Sequence, residues 1–128
     1  MLKVVLIDDS YAIRRSVGRL LASVPGVDVV GFAADVAGAC RIIDSQCPDV
    51  VVLDVDLNGQ EHGMDVLSYV VRRHPYTKVV GFSNFTVKSA RDGFMQAGAS
   101  AYFDKSTEFA HARDFIAALR PPARAPEG

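Results

Sequence analysis

"DVVVLDVDL", residues 49–57, decides the fold. Positions 50–53 are Val, Val, Val and Leu, with no polar residue between them. A strand with one wet face alternates apolar and polar side chains. A run without alternation is covered on both faces, as in a parallel sheet between two layers of helices. The stretch then reaches Asp54 and Asp56 and continues into Asn58 and Gly59, which spells D-x-D-x-N-G, the opening of a calcium-binding EF-hand loop. An EF-hand needs an amphipathic helix before that loop and usually a Glu at its twelfth position. Here a valine strand precedes it, position twelve is Asp65, and position nine is His62, a poor calcium ligand. Calcium therefore explains these acids badly.

Working outward, four more short apolar runs have strand character: 3–7, 27–34, 78–83 and 100–103, with 49–53 as the third of the five. Pro25, Pro48 and Pro75 come shortly before three of them and mark breaks between helix and strand. Between the runs the apolar period becomes helical. Ile13, Val17, Leu20, Leu21 and Val24 follow Ser10, an N-cap candidate. Val36, Ala39, Cys40 and Ile43 form a second stripe after Asp35, another cap. Met64, Leu67, Val70 and Val71 form a third. Val87, Ala90, Phe94 and Ala97 form a fourth, stopped by Gly98. Phe109, Ala112, Ile116 and Leu119 form a fifth, with Ser106 and Thr107 as cap candidates. Strand–helix alternation predicts an α/β protein with a mostly parallel sheet and helices on both faces. One domain over 1–120 is expected, with 121–128, "PPARAPEG", as a flexible Pro-rich tail.

The 128 residues suit one core, and 49% hydrophobic with 23% charged residues is ordinary for a globular chain. A net charge of −1 supplies no general attraction to nucleic acid or to an anionic membrane. The opening "MLKVVLIDDS" reaches two aspartates too soon for a signal peptide, so a cytoplasmic location is expected. Cys40 and Cys47 are too few for a disulfide framework and lack zinc-ligand spacing, and are expected to be reduced, packed thiols. His62, His74 and His111 show no metal spacing, and none is assigned a function.

Ligands of an open parallel sheet bind at the carboxyl ends of its strands. Asp8 and Asp9 follow the first strand, Asp54 and Asp56 the third, Ser83 and Asn84 close the fourth, and Asp104 and Lys105 follow the fifth. Clustered carboxylates repel one another, and a divalent cation relieves that cost. Few protein oxygens around an open position suit magnesium, which keeps waters and takes a phosphate oxygen. A lysine is a point-charge partner for phosphate. The group therefore suits phosphoryl chemistry, with an aspartate as nucleophile.

With "LIDDS", "VVLDVDL", "GFSNF" and "AYFDKS" in this order, the chain resembles a response-regulator receiver domain of two-component signalling, over roughly residues 3 to 119. The resemblance implies a flavodoxin-like doubly wound sheet of five parallel strands, order 2-1-3-4-5, with five helices. It implies a phosphoacceptor, not a turnover enzyme: Asp54 takes a phosphoryl group in a phosphorelay. Asp8, Asp9, Asp54 and the Asp56 carbonyl hold Mg2+. Ser83, Asn84 and Lys105 contact the phosphoryl group, and Ser83 and Tyr102 form the switch. It implies a sensor histidine kinase or histidine phosphotransfer protein docking at Tyr11, Ala12 and Arg15. A stand-alone receiver would signal by contact with a downstream protein or second receiver, without direct nucleic acid or membrane binding. The resemblance also offers a homodimer through the fourth helix, fifth strand and fifth helix.

Several positions depart from the family pattern. Ser106 stands where a proline usually follows the lysine. Leu57-Asn58 replaces Met-Pro, and Gly63 lies nine residues after Asp54 where eight is usual. Asn84 is larger than the usual residue there, and Phe85 is apolar where many members are polar, which suggests that the two shield an acyl phosphate. Asp56 is expected to repel small anionic donors. Two other classes stay open from the residues alone. One is an aspartyl-phosphate phosphatase, whose D-x-D the "LDVDL" stretch matches. The other is a receiver-like scaffold that takes no phosphate.

Overall fold

The computed structural model describes residues 1–57, 62–84 and 88–119. Five strands and five helices alternate: β1 (Leu2–Ile7), α1 (Tyr11–Ala22), β2 (Val27–Ala33), α2 (Val36–Gln46), β3 (Val50–Asp54), α3 (His62–Arg73), β4 (Lys78–Ser83), α4 (Lys88–Gln96), β5 (Ala101–Asp104) and α5 (Phe109–Ala118). All pairings are parallel, in the order β2-β1-β3-β4-β5. The unbroken apolar run is the central strand: β3 lies between β1 and β4, and all five of its residues are buried. A strand, not a helix, leads into Asp54, which removes the EF-hand reading.

Successive β3 side chains point to opposite faces and feed two cores. Val51 and Leu53 join Ile43 of α2, Leu67 of α3 and Phe94 of α4. Val50 and Val52 join Leu21 of α1 and Ala112 and Ile116 of α5. Each such buried Val or Leu contributes about 1.5–3 kcal/mol relative to exposure, so slipping β3 by one residue would trade both cores at once. The helical stripes hold in part: Ala90, inside the fourth, is exposed, and others shift at their edges. Leu20 and Val71 are 44% and 43% exposed, and Val66, outside the predicted stripe, is fully buried. Val87 and Phe85 lie outside the described residues, as does the predicted tail.

Local signals close the elements much as expected. Ser10 caps α1, its hydroxyl accepting from Ile13 N, and Asp35 caps α2, accepting from Gly38 N. After α4, Gly98 takes φ +117, a conformation open to glycine without Cβ strain. The predicted caps of α5 are corrected: the N-cap position is Glu108, and Ser106 and Thr107 instead donate their backbone N–H groups to Asp104 Oδ1. An aspartate carboxylate satisfies amides two and three residues on, which makes a turn rather than a helix start. Of the two thiols, Cys40 is half-buried and Cys47 is exposed, so only the former is packed. No helix among the described residues is long and apolar enough to cross a membrane.

Candidate functional site: an acidic cluster at the strand ends

Parallel pairing brings the carboxyl ends of β1, β3, β4 and β5 to one edge. Ile7 pairs with Leu53, so Asp8 and Asp54 emerge side by side. Asp54 pairs with Phe82, and Ser83 with Asp104. The ladder continues past the strands, with Val55 N donating to Phe82 O at 2.8 Å and Lys105 N to Ser83 O at 2.9 Å. The backbone thereby delivers all four predicted pieces.

Asp8, Asp54 and Ser83 are 2%, 5% and 2% exposed, while Asp9 faces solvent. One carboxylate oxygen each from Asp8, Asp9 and Asp54 can be chosen within 4.8 Å of the others. The Lys105 ammonium sits 2.7 Å from Asp8 Oδ2 and 3.3 Å from Asp54 Oδ2. It neutralises one charge among three acids, two of them buried. The donor set therefore fits a hard, oxygen-seeking divalent cation. Asp8 also accepts from Ser10 N at 2.9 Å through its other oxygen, so it starts the turn into α1 while facing the site.

Burial pushes the Asp54 carboxyl up to about 6, the Asp8 charge adding to it and Lys105 pulling the other way. For Lys105, burial alone favours the neutral amine. The bond to Asp8 and the attraction of Asp54 outweigh it, and its pKa is raised. The acids thus keep Lys105 charged, whereas at Asp54 burial outweighs the pull of the lysine.

Asp56 reaches Asp54 through its backbone, donating to Asp54 Oδ1 at 3.1 Å, and its carboxylate accepts from Ser83 Oγ at 3.0 Å. Its side chain is not part of the three-carboxylate group, which leaves its carbonyl as the atom expected to face a cation. Asn84 is exposed at the end of β4, and its expected shielding partner Phe85 lies outside the described residues. Between Asp104 and Ser106 the turn is held by the Asp104 carboxylate, and no peptide bond among the described residues is cis. Gly63 abuts the chain just after Asp54: a Cβ there would stand 2.6 Å from Val55 O and 2.8 Å from Asp54 O.

Tyr102 points inward and is 6% exposed. Its ring meets Phe94 edge-on at 5.7 Å, and Gly81 leaves the room for both rings. Its Oη has no hydrogen-bond partner among the described residues. Two residues that the sequence did not single out pair beside the ring, Arg91 over it and Glu108 holding Arg91. The Arg91 guanidinium lies 5.5 Å from the ring centroid and donates to Glu108 Oε1 at 2.9 Å, and that same oxygen accepts from Asp104 N at 3.0 Å. No local spacing announces a pair seventeen residues apart on different elements. The expected docking residues Tyr11, Ala12 and Arg15 all lie exposed on α1, next to the acidic edge. His74, given no role, closes a link between α2 and α3, its Nε2 2.7 Å from Asp44 Oδ1, with the Tyr69 hydroxyl donating to the other oxygen.

A parallel 2-1-3-4-5 sheet with three carboxylates and a lysine at one edge defines a class, and comparison with known proteins places the chain in it. The family model for the response regulator receiver domain matches residues 4–117, and the chain belongs to that family of two-component signalling. It is 40% identical, over 82% of its length, to the DNA-binding transcriptional activator DevR/DosR of Mycobacterium tuberculosis, covering 48% of that protein. It is 32% identical, over 84% of its length, to a protein-glutamate methylesterase/protein-glutamine glutaminase of Koribacter versatilis, covering 30% of that protein. The chain thus spans half or less of the length of these two curated relatives. Among solved structures, a LuxR-family two-component response regulator from Aurantimonas superposes with TM-score 0.81 at 28% identity, over 92% of this chain and 86% of that one. CheY in the CheX–CheY–BeF3–Mg2+ complex from Borrelia burgdorferi shares the fold, with TM-score 0.81 at 20% identity over 93% and 90%.

Proposed function

We propose that this receiver accepts a phosphoryl group on Asp54 from a phosphohistidine and uses it to switch a protein-binding face. One observation carries the reading: Asp54 is buried between the Asp8 and Asp9 carboxylates and the Lys105 ammonium. An Asp54 carboxylate oxygen attacks phosphorus in line. The P–N bond to the donor histidine breaks, its electron pair stays on the imidazole nitrogen, and that nitrogen takes a proton. Lys105, held by Asp8 and Asp54, is positioned to balance charge on the transferring group. Asp8, Asp9, Asp54 and the Asp56 carbonyl are the groups that would hold Mg2+, which supplies charge neutralisation on the phosphoryl oxygens. Ser83 and the backbone at Asn84 contact the remaining oxygens.

Residues 1–120 act as the receiver unit. Tyr102 and Ser83 report the phosphoryl group to α4 and β5, the face expected to meet a downstream protein, a second receiver or a second copy of the chain. The kinase or phosphotransfer protein docks on Tyr11, Ala12 and Arg15, exposed on α1 beside the acids. The test is intact-mass analysis after incubation with Mg2+ and acetyl phosphate, with Asp54→Ala as control. One added phosphoryl group on the wild type and none on the variant is the expected result. An unlabelled wild type, or labelling that survives Asp54→Ala, overturns the assignment. Sustained phosphate release from phosphomonoesters would favour the phosphatase reading instead.

A further inference from the structure

The Asp56 side chain does not join the three-carboxylate group; it is bonded to the hydroxyl of the switch residue. Ser83 Oγ donates to Asp56 Oδ2 at 3.0 Å, while Asp56 N donates to Asp54 Oδ1 at 3.1 Å. The sheet sets this approach. Phe82 pairs with Asp54, Val55 N bonds Phe82 O, and Lys105 N bonds Ser83 O, so residues 56 and 83 face each other beyond the last rung of β3 and β4. The Ser83 backbone is tied on the β5 side, and its side chain turns towards β3. A serine hydroxyl has one proton to donate. While that proton is on the Asp56 carboxylate, it is not available to an oxygen of a group attached to Asp54.

Building on the proposed phosphoacceptor role of Asp54, we infer that Asp56 is a positioning residue that holds Ser83 in the resting state. Phosphorylation must then break the Ser83–Asp56 bond before Ser83 can serve the phosphoryl group. Asp56 sets the threshold of the switch as well as adding negative charge near the donor. The two effects have different signatures. A charge effect acts on any anionic donor whether or not Ser83 has a hydroxyl. A hydrogen-bond effect vanishes when the hydroxyl is removed.

The experiment measures the rate of Asp54 labelling by acetyl phosphate with Mg2+ in the wild type, Asp56→Ala, Ser83→Ala and the double variant. Losing one charge-assisted hydrogen bond corresponds to a factor on the order of ten. Asp56→Ala is therefore expected to speed labelling about tenfold over wild type. In the Ser83→Ala background the same change is expected to give about twofold, the share of the removed charge across water. Asp56→Asn, which keeps an acceptor oxygen without the charge, falls between. In the unphosphorylated protein, Asp56→Ala also shifts the Ser83 amide resonance, a readout independent of turnover. Equal factors in both Ser83 backgrounds, or an unmoved Ser83 resonance, overturn the inference while leaving Asp54 as acceptor. A wild type that takes no label overturns both.

Discussion

Asp54→Asn should make the metal-free protein more stable at neutral pH, although it removes a partner of Lys105. The reason lies in the raised carboxyl. Asp54 titrates near 6 in the fold, against 3.8 for an ordinary aspartate. The folded state therefore holds the proton more tightly than the unfolded chain does. The ionised carboxylate costs stability, and that cost is absent below about pH 4, grows between about 4 and 6, and is complete above 6. Each tenfold difference in proton affinity is worth about 1.4 kcal/mol, which sets a ceiling of about 3 kcal/mol at pH 7.5. Water reaches the mouth of the site, where Asp9 is exposed, so about 1.5 kcal/mol is the working figure after solvent screening. Asparagine keeps an oxygen that can accept from Asp56 N, and Lys105 retains Asp8 at 2.7 Å, so the substitution leaves no buried charge unpaired.

The assay is thermal or urea unfolding of both proteins in chelator-treated buffer from pH 4 to 8. A gain of about 1.5 kcal/mol corresponds to a Tm increase of roughly 5 °C for a domain of this size. The gain should shrink towards zero near pH 4. Magnesium should then reverse the order, because only the wild type has the full carboxylate set, and a ligand at a hundred times its Kd adds about 2.7 kcal/mol. A variant no more stable than wild type at pH 7.5, or a gain unchanged down to pH 4.5, refutes the reasoning that burial dominates at Asp54.

Two further predictions concern room left for side chains. Gly81→Ala would put a Cβ 2.7 Å from the Phe94 ring and 3.2 Å from the Tyr102 ring. It should cost about 1–3 kcal/mol in urea unfolding, and most of that cost should disappear in a Phe94→Leu background if the rings are its source. Gly63→Ala meets backbone oxygens of Asp54 and Val55, which have no rotamer to yield. It should cost about as much, and it should slow Asp54 labelling as well; a loss of stability with unchanged labelling would separate Gly63 from the site.

The fold was legible because its signals are local and redundant. Val50–Leu53 announces a strand covered on both faces, and Ser10, Asp35 and Gly98 punctuate the helices where they end or begin. The acids, serine and lysine of the site were legible for a topological reason. Each closes a strand or follows it within two residues, and a parallel sheet sends all such residues to one edge. What the sequence hid lies in the choice of partner. Ser106 and Thr107 look like helix caps, yet Asp104 claims their amides, because a carboxylate two residues upstream is the nearer acceptor. Arg91 and Glu108 look like solvated charges until the fold lays one over Tyr102 and the other beside Asp104 N. Asp56 reads as part of a metal-binding D-x-D until its carboxylate is seen to hold Ser83. In all three cases the sequence correctly marks a group able to bond. The partner is set by a competing local turn at Asp104, by the packing of α4 against the start of α5 at Arg91, and by neighbouring strand ends at Asp56. The groups proposed for phosphoryl chemistry are thus readable from one dimension, whereas the partner of the Asp56 carboxylate, on which the proposed threshold rests, is readable only in three.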